Sequence, residues 1–258
     1  MYRQVRFHRR SMPEILRLLN AETRHAIHVR RVFLADGDVM RRPFEELRTI
    51  LEEIGQRLPN LARVNVYATG SAVVAKTDDE LRALRALKLQ TLYLGLESGD
   101  DETLRRVCKG EDVATMVAAV QRSQACGLKM SVMVLLGLGG QERTREHADA
   151  TADALNRMQP RLLSALRVVP VPGTELAEDV RAGRFRQLTE RGVIEELRRM
   201  IAQLELTNTV FRANHSSNVV PLEARFPRDQ QTVLAQLDGL LASGTLDAST
   251  PGPLPLWL

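Results

Sequence analysis

Cysteine is nearly absent: the 258 residues hold only Cys108 and Cys126. These two are not in CxxC spacing and have no paired histidines nearby, which excludes a disulfide framework and a cysteine-based zinc site. Aromatic residues are scarce too, at 4%. The early arginines (Arg3, Arg6, Arg9, Arg10, Arg24, Arg30, Arg31, Arg41, Arg42) are not interleaved with aromatics, and no RNP-like motif accompanies them. They read as solvated charge rather than a nucleic-acid surface, and the net charge of +4 is mild. No apolar run is long enough to span a bilayer as a helix, and no signal-peptide pattern precedes the first helix. The expectation is a soluble protein in a reducing, cytoplasmic setting.

What the chain does have is alternation. Five near-continuously apolar runs, Val32–Ala35, Val64–Ala68, Leu92–Leu96, Met130–Leu136 and Ala165–Pro170, read as strands covered on both faces. Between them, apolar residues recur at helical spacing. Phe44, Leu47, Leu51, Ile54 and Leu58 make one stripe, and Leu81, Leu84 and Leu87 another. Val113, Met116, Val117 and Val120 make a third, and Val193, Leu197, Met200, Ile201 and Leu204 line a later helix. Strand and helix alternating in this way predict right-handed βαβ crossovers and a parallel sheet.

A first helix is expected over 13–23, behind a Ser11 cap with Glu14 in the capping-box position. A βαβ series should open on a strand, so the expected fold is a partial parallel (β/α)6 barrel whose first strand is missing. The barrel is expected over 1–205, a C-terminal extension over 206–248 and a loose tail over 249–258. In the extension, a helix is expected over 230–241.

Each apolar run ends in small, polar or acidic residues. They are Asp36-Gly37-Asp38, Thr69-Gly70-Ser71, Glu97-Ser98-Gly99-Asp100, Gly137-Leu138-Gly139-Gly140 and Pro170-Val171-Pro172-Gly173-Thr174. Ligands of parallel α/β folds bind at the carboxyl ends of strands, so five decorated ends predict a long ligand there. Three tempting motifs fail. Gly137-Leu138-Gly139-Gly140 would need glycine at Glu142 to read as a dinucleotide fingerprint. Gly95-Leu96-Glu97-Ser98-Gly99 has its serine displaced by one from a nucleophile elbow. His25 and His28 have no third metal ligand in register.

Taken in order, these segments resemble the radical S-adenosylmethionine (SAM) superfamily, in the branch related to oxygen-independent coproporphyrinogen oxidases and tRNA-modifying methylthiotransferases. The resemblance runs from Met1 to about Asn218. It implies a TIM-like barrel, SAM and a [4Fe–4S] cluster held by a CxxxCxxC loop. It further implies reductive cleavage of SAM to a 5′-deoxyadenosyl radical that attacks a small-molecule or macromolecular substrate. A reductant such as flavodoxin or ferredoxin is the implied partner. Met1-Tyr2-Arg3 looks like the residues just after the last cluster cysteine.

By the same resemblance Asp36, Gly37 and Asp38 stand where the family binds the SAM amino group. Glu97 and Ser98 stand where it approaches ribose and carboxylate, and Gly137, Gly139, Val169 and Pro170 where it packs on adenine. The cluster cysteines themselves are not in this sequence, and Cys108 and Cys126 both fall in apolar-periodic segments expected to be helical. No metal ligand is therefore assigned. Truncation at the start is the expected reason, with a catalytically inactive SAM- or nucleotide-binding module as the alternative. Beyond the barrel, Asn214, His215 and Asn218 lie in a polar run that reads equally as substrate contact, with His215 as proton donor or acceptor, or as loop capping.

Overall fold

A computed structural model of the chain describes residues 8–21 and 27–253. The element order is α1 (Met12–Ala21), β1 (Arg31–Leu34), α2 (Phe44–Arg57), β2 (Arg63–Tyr67), α3 (Gly70–Val74), α4 (Asp78–Ala86), β3 (Leu89–Glu97), α5 (Asp101–Arg106) and α6 (Val113–Ala125). It continues with β4 (Lys129–Leu136), α7 (Gly140–Met158), β5 (Leu162–Arg167), α8 (Glu175–Arg181), α9 (Glu190–Ala202), β6 (Thr209–Arg212), β7 (Glu223–Phe226) and α10 (Gln230–Ala242). All five expected strands form. They belong to one sheet of seven, in the order β1-β2-β3-β4-β5-β6-β7, which is not closed. The fold is mixed α/β, with β7 antiparallel to β6.

The chain divides into two compact units, Met1–Leu94 with Arg122–Met130, and Gly95–Gln121 with Ser131–Leu258. In the first, β1 and β2 pair in parallel, as do β2 and β3. Val64, Val66, Leu92 and Leu94 alternate inward with Leu47, Ile50, Leu51 and Ile54 of α2 and Leu81 and Leu84 of α4, all almost fully buried. Each such side chain contributes roughly 1.5–3 kcal/mol by leaving water. On the other face of the strands Phe33 meets Tyr67 and Tyr93 edge-to-face at 4.8 and 5.1 Å. The buried Lys76 donates to Met40 O at 3.0 Å and so pins the 3-10 turn Val39–Arg41.

In the second unit β4, β5 and β6 run parallel. Against them α9 packs with α7 and α10, burying Val193, Ile194, Leu197, Met200 and Ile201. Phe211 of β6 stacks on Phe226 of β7, with ring centroids 5.2 Å apart. No helix among the described residues is long and apolar enough to cross a membrane.

Four expectations change. The extension supplies two further strands, β6 and β7, where only loop and helix were foreseen. Cys108 is not helical: α5 stops at Arg106, and Cys108 is exposed in a left-handed turn at φ 53°. Cys126 sits in the turn just past α6, buried, with its Sγ 3.6 Å from Asp78 O. The described part of the tail is tied down rather than loose. Thr250 O accepts from Glu190 N at 3.0 Å, and Pro251 O and Pro253 O accept from the Arg167 guanidinium at 2.6 and 2.8 Å. Met1-Tyr2-Arg3, His25 and the residues beyond Pro253 lie outside the described residues.

Candidate functional site

In the first unit, Asp36 and Gly37 turn the chain past the end of β1, both at positive φ (63° and 116°). Strained backbone of this kind persists only where the surroundings fix it. Here they fix Asp38. Its Oδ2 accepts from Thr69 N at 3.3 Å, from Arg41 Nε at 3.1 Å and from the Thr69 hydroxyl. Its Oδ1 is buried and has no hydrogen-bond partner. A buried carboxylate oxygen without a partner is costly, and a ligand N–H or O–H donor, an ammonium group among them, would satisfy it.

In the second unit, Glu97 closes β3 at φ 61°, and its Oε1 faces Lys109 Nζ at 3.3 Å. It folds back over Gly95, where an added Cβ would stand 1.9 Å from that oxygen, so a side chain there would push the Glu97 carboxylate aside. Ser98 is fully buried. Its Oγ meets His147 Nδ1 at 2.7 Å and accepts from Asp100 N at 3.0 Å. His147 Nε2 in turn lies 3.6 Å from Glu196 Oε1, which accepts from Gly137 N at 2.6 Å. Glu196 Oε2 accepts from the Thr144 hydroxyl at 2.6 Å.

This serine–histidine–glutamate chain has the residue types of a hydrolase triad but none of the access. A nucleophile must reach its substrate, and Ser98 has no exposed surface. What the chain does is bind the ends of β3 and β4 to α7 and α9. Burial raises the Glu196 carboxyl above its ordinary value, against the opposing pull of His147, Thr144 and the Gly137 amide. Burial would also raise Asp100, but hydrogen bonds from Arg143 and Thr103 outweigh it and hold the carboxyl at about 2.

Gly137 adopts φ 80° so that its N–H can turn to Glu196. At Gly139 an added Cβ would stand 2.9 Å from Arg143 O, so this glycine answers a tight turn into α7. Val169 and Pro170 are half-buried in the loop after β5. The polar run beyond β6 lies at the carboxyl end of that strand. Asn214 Nδ2 donates to Glu223 Oε1 at 2.6 Å, and Asn218 Nδ2 to Ala165 O at 2.8 Å. His215 is exposed and lines an open cleft of about 470 Å³ together with Met133, Ser164, Leu166 and Arg212.

Part of the polar decoration at strand ends has a local purpose. Thr69, Asp100 and Thr174 are helix N-caps, accepting from Ala72 N, Thr103 N and Ala177 N. A [4Fe–4S] cluster does not fit this chain's own residues. It has two cysteines, Cys126 in the first unit and Cys108 in the second, and no group of three or more His, Cys, Asp or Glu side chains suited to a metal exists among the described residues.

Comparison with known proteins adds the family. The sequence model of the radical SAM superfamily matches residues 2–154. Among solved structures, Elp3 of the archaeon Methanocaldococcus infernus, lacking its N-terminal residues 1–46, superimposes with a TM-score of 0.58 at 15% identity, over 88% of this chain and 58% of that one. Coproporphyrinogen III oxidase (HemN) from Escherichia coli, a radical SAM enzyme, gives 0.57 at 15% identity, over 76% and 47%. Methylornithine synthase (PylB) gives 0.53 at 17% identity, over 92% and 74%. At these identities the likeness is one of fold. This chain spans just 58% of the Elp3 structure's length. No curated protein matches it.

Proposed function

The chain belongs to the radical SAM superfamily, and on that footing we propose that it binds SAM through the carboxyl ends of its strands. Asp38, with its unpartnered Oδ1, is the observation that carries the reading. In it Asp38 takes the SAM ammonium, and Glu97 takes ribose hydroxyls. Ser98 acts as a positioning residue, since its hydroxyl is already engaged by His147 and the Asp100 amide. Gly137, Gly139, Val169 and Pro170 supply loop backbone to the adenine end. Cleavage of SAM to a 5′-deoxyadenosyl radical would need a reducing cluster held by cysteines that these residues do not include. The chain's two cysteines favour a second reading for this polypeptide alone, a SAM- or nucleotide-binding module without cluster chemistry.

Titration calorimetry with two ligands tests the shared core of both readings. SAM carries the amino acid moiety; methylthioadenosine lacks it. Asp38→Asn should weaken SAM about tenfold, the loss of one charge-assisted hydrogen bond, and leave methylthioadenosine unchanged. Equal effects on both ligands, or none on SAM, would remove Asp38 from the site.

A further inference from the structure

Across β4, β5, β6 and β7 one row of residues stands in direct register. Met133 pairs with Ser164, Ser164 with Arg212, and Arg212 with Glu223. Directly paired residues share one face of a sheet. Their neighbours Val132, Val134, Leu163, Ala165 and Phe211 are buried on the other face, so the row looks into the cleft that Met133, Ser164 and Arg212 line. A space of about 470 Å³ is that of a small-molecule site.

Arg212, Ser164 and His215 supply donors along it, beside Asn214 and Ser216. Arg212 is held only loosely, its Nε 3.8 Å from Glu223 Oε1, beyond hydrogen-bond length. That carboxylate oxygen is already taken by Asn214 Nδ2 at 2.6 Å. Ser164 offers a hydroxyl. His215 Nδ1 accepts from Ser217 N at 3.1 Å, so in the neutral imidazole the proton sits on Nε2, which becomes a third donor. Beside these lie the apolar Met133 and Leu166.

We infer that this cleft binds a small molecule made of a carboxylate joined to an apolar body, the carboxylate meeting Arg212, Ser164 and His215. A planar guanidinium suits a carboxylate by offering parallel N–H groups. The inference rests on the proposed SAM-binding function and deepens it by naming a substrate class, yet it stands on residues that the SAM reading does not use.

The test uses the full chain with ¹³C-methyl methionine, its Met133 signal assigned through Met133→Leu. Hexanoate should move that signal at about a tenfold lower concentration than hexanamide, which has the same body without the charge. Inorganic phosphate should be no better than hexanamide. Arg212→Gln should abolish the preference for hexanoate. Glu223→Gln removes the competing carboxylate and should tighten hexanoate several-fold. Equal binding of hexanoate and hexanamide, phosphate as effective as hexanoate, or hexanoate affinity unaltered in both variants would overturn the assignment. SAM titrations on Asp38→Asn report separately on the cofactor reading, so one can fail while the other holds.

Discussion

Glu196 and Asp100 make stability depend on pH in opposite senses. The folded chain holds a proton on Glu196 more readily than the unfolded chain, because burial raises its carboxyl from the ordinary 4.5. Its contribution is complete below that value and is lost as pH climbs through the raised one. For Asp100, hydrogen bonds from Arg143 and Thr103 override the effect of burial and lower the carboxyl from 3.8 to about 2. Its contribution is present above 3.8 and lost as pH falls toward about 2, on the order of 1 kcal/mol once solvent screening is allowed for. Urea unfolding at stepped pH should therefore show stability falling on both sides of about pH 4 from these two groups. Glu196→Gln keeps an acceptor for the Gly137 amide but cannot ionise, and should flatten the decline on the alkaline side. Ser98→Ala should cost about 1–3 kcal/mol, since it strips a partner from both the buried His147 ring and the Asp100 amide.

Among the elements, the strands written as apolar runs were the ones that could be read. β1 to β5 are such runs, and an apolar run bounded by Gly, Asp and Thr has few other uses, even at the edge of the sheet where β1 lies. β6 and β7 escaped because each has four residues set in a polar stretch. Glu223 and Arg225 are exposed while Ala224 and Phe226 are buried, and a short alternation inside a polar stretch resembles loop. Thr209-Val210-Phe211-Arg212 carried the missing signal in its β-branched and aromatic residues. The pair holds by its stacked rings. Phe211→Ala, at a site with no exposed surface, should lose about 3–5 kcal/mol by calorimetry or denaturant unfolding. Glu196 left a trace as well. It occupies an i+3 position on the apolar stripe of α9 between Val193 and Leu197, where a charge calls for a buried partner. His147, its partner, stands on another helix, and no local pattern links the two.

At the scale of the whole molecule, Asp38 and Glu97 were legible as acids that follow apolar runs; Glu97 closes β3 at positive φ, and Asp38 follows the positive-φ turn past β1. The donor row of the cleft was not, since register across four strands is a property of the folded sheet. Long-range ties also decide what the last residues do. Burial opposes the charge of Arg167, and the carbonyls of Pro251 and Pro253 are its acceptors. Deleting 249–258 should thus destabilise the second unit by about 1–3 kcal/mol, read as a lower denaturant midpoint. An unchanged midpoint would mean that solvent replaces those carbonyls without cost.

The edge-to-face cluster of Phe33, Tyr67 and Tyr93 also makes the protein its own optical gauge. Of the chain's three tyrosines, the two among the described residues, Tyr67 and Tyr93, fall in the first unit. Rings held in fixed T-shaped contact give a structured near-ultraviolet circular dichroism signal, and that signal disappears when the packing loosens. The tyrosine band therefore watches the first unit, while most of the helical backbone signal comes from elements of both. If the two units melt as one, the band and the backbone signal fade together along a denaturant series. If the first gives way earlier, its tyrosines go dark while much of the helix signal endures.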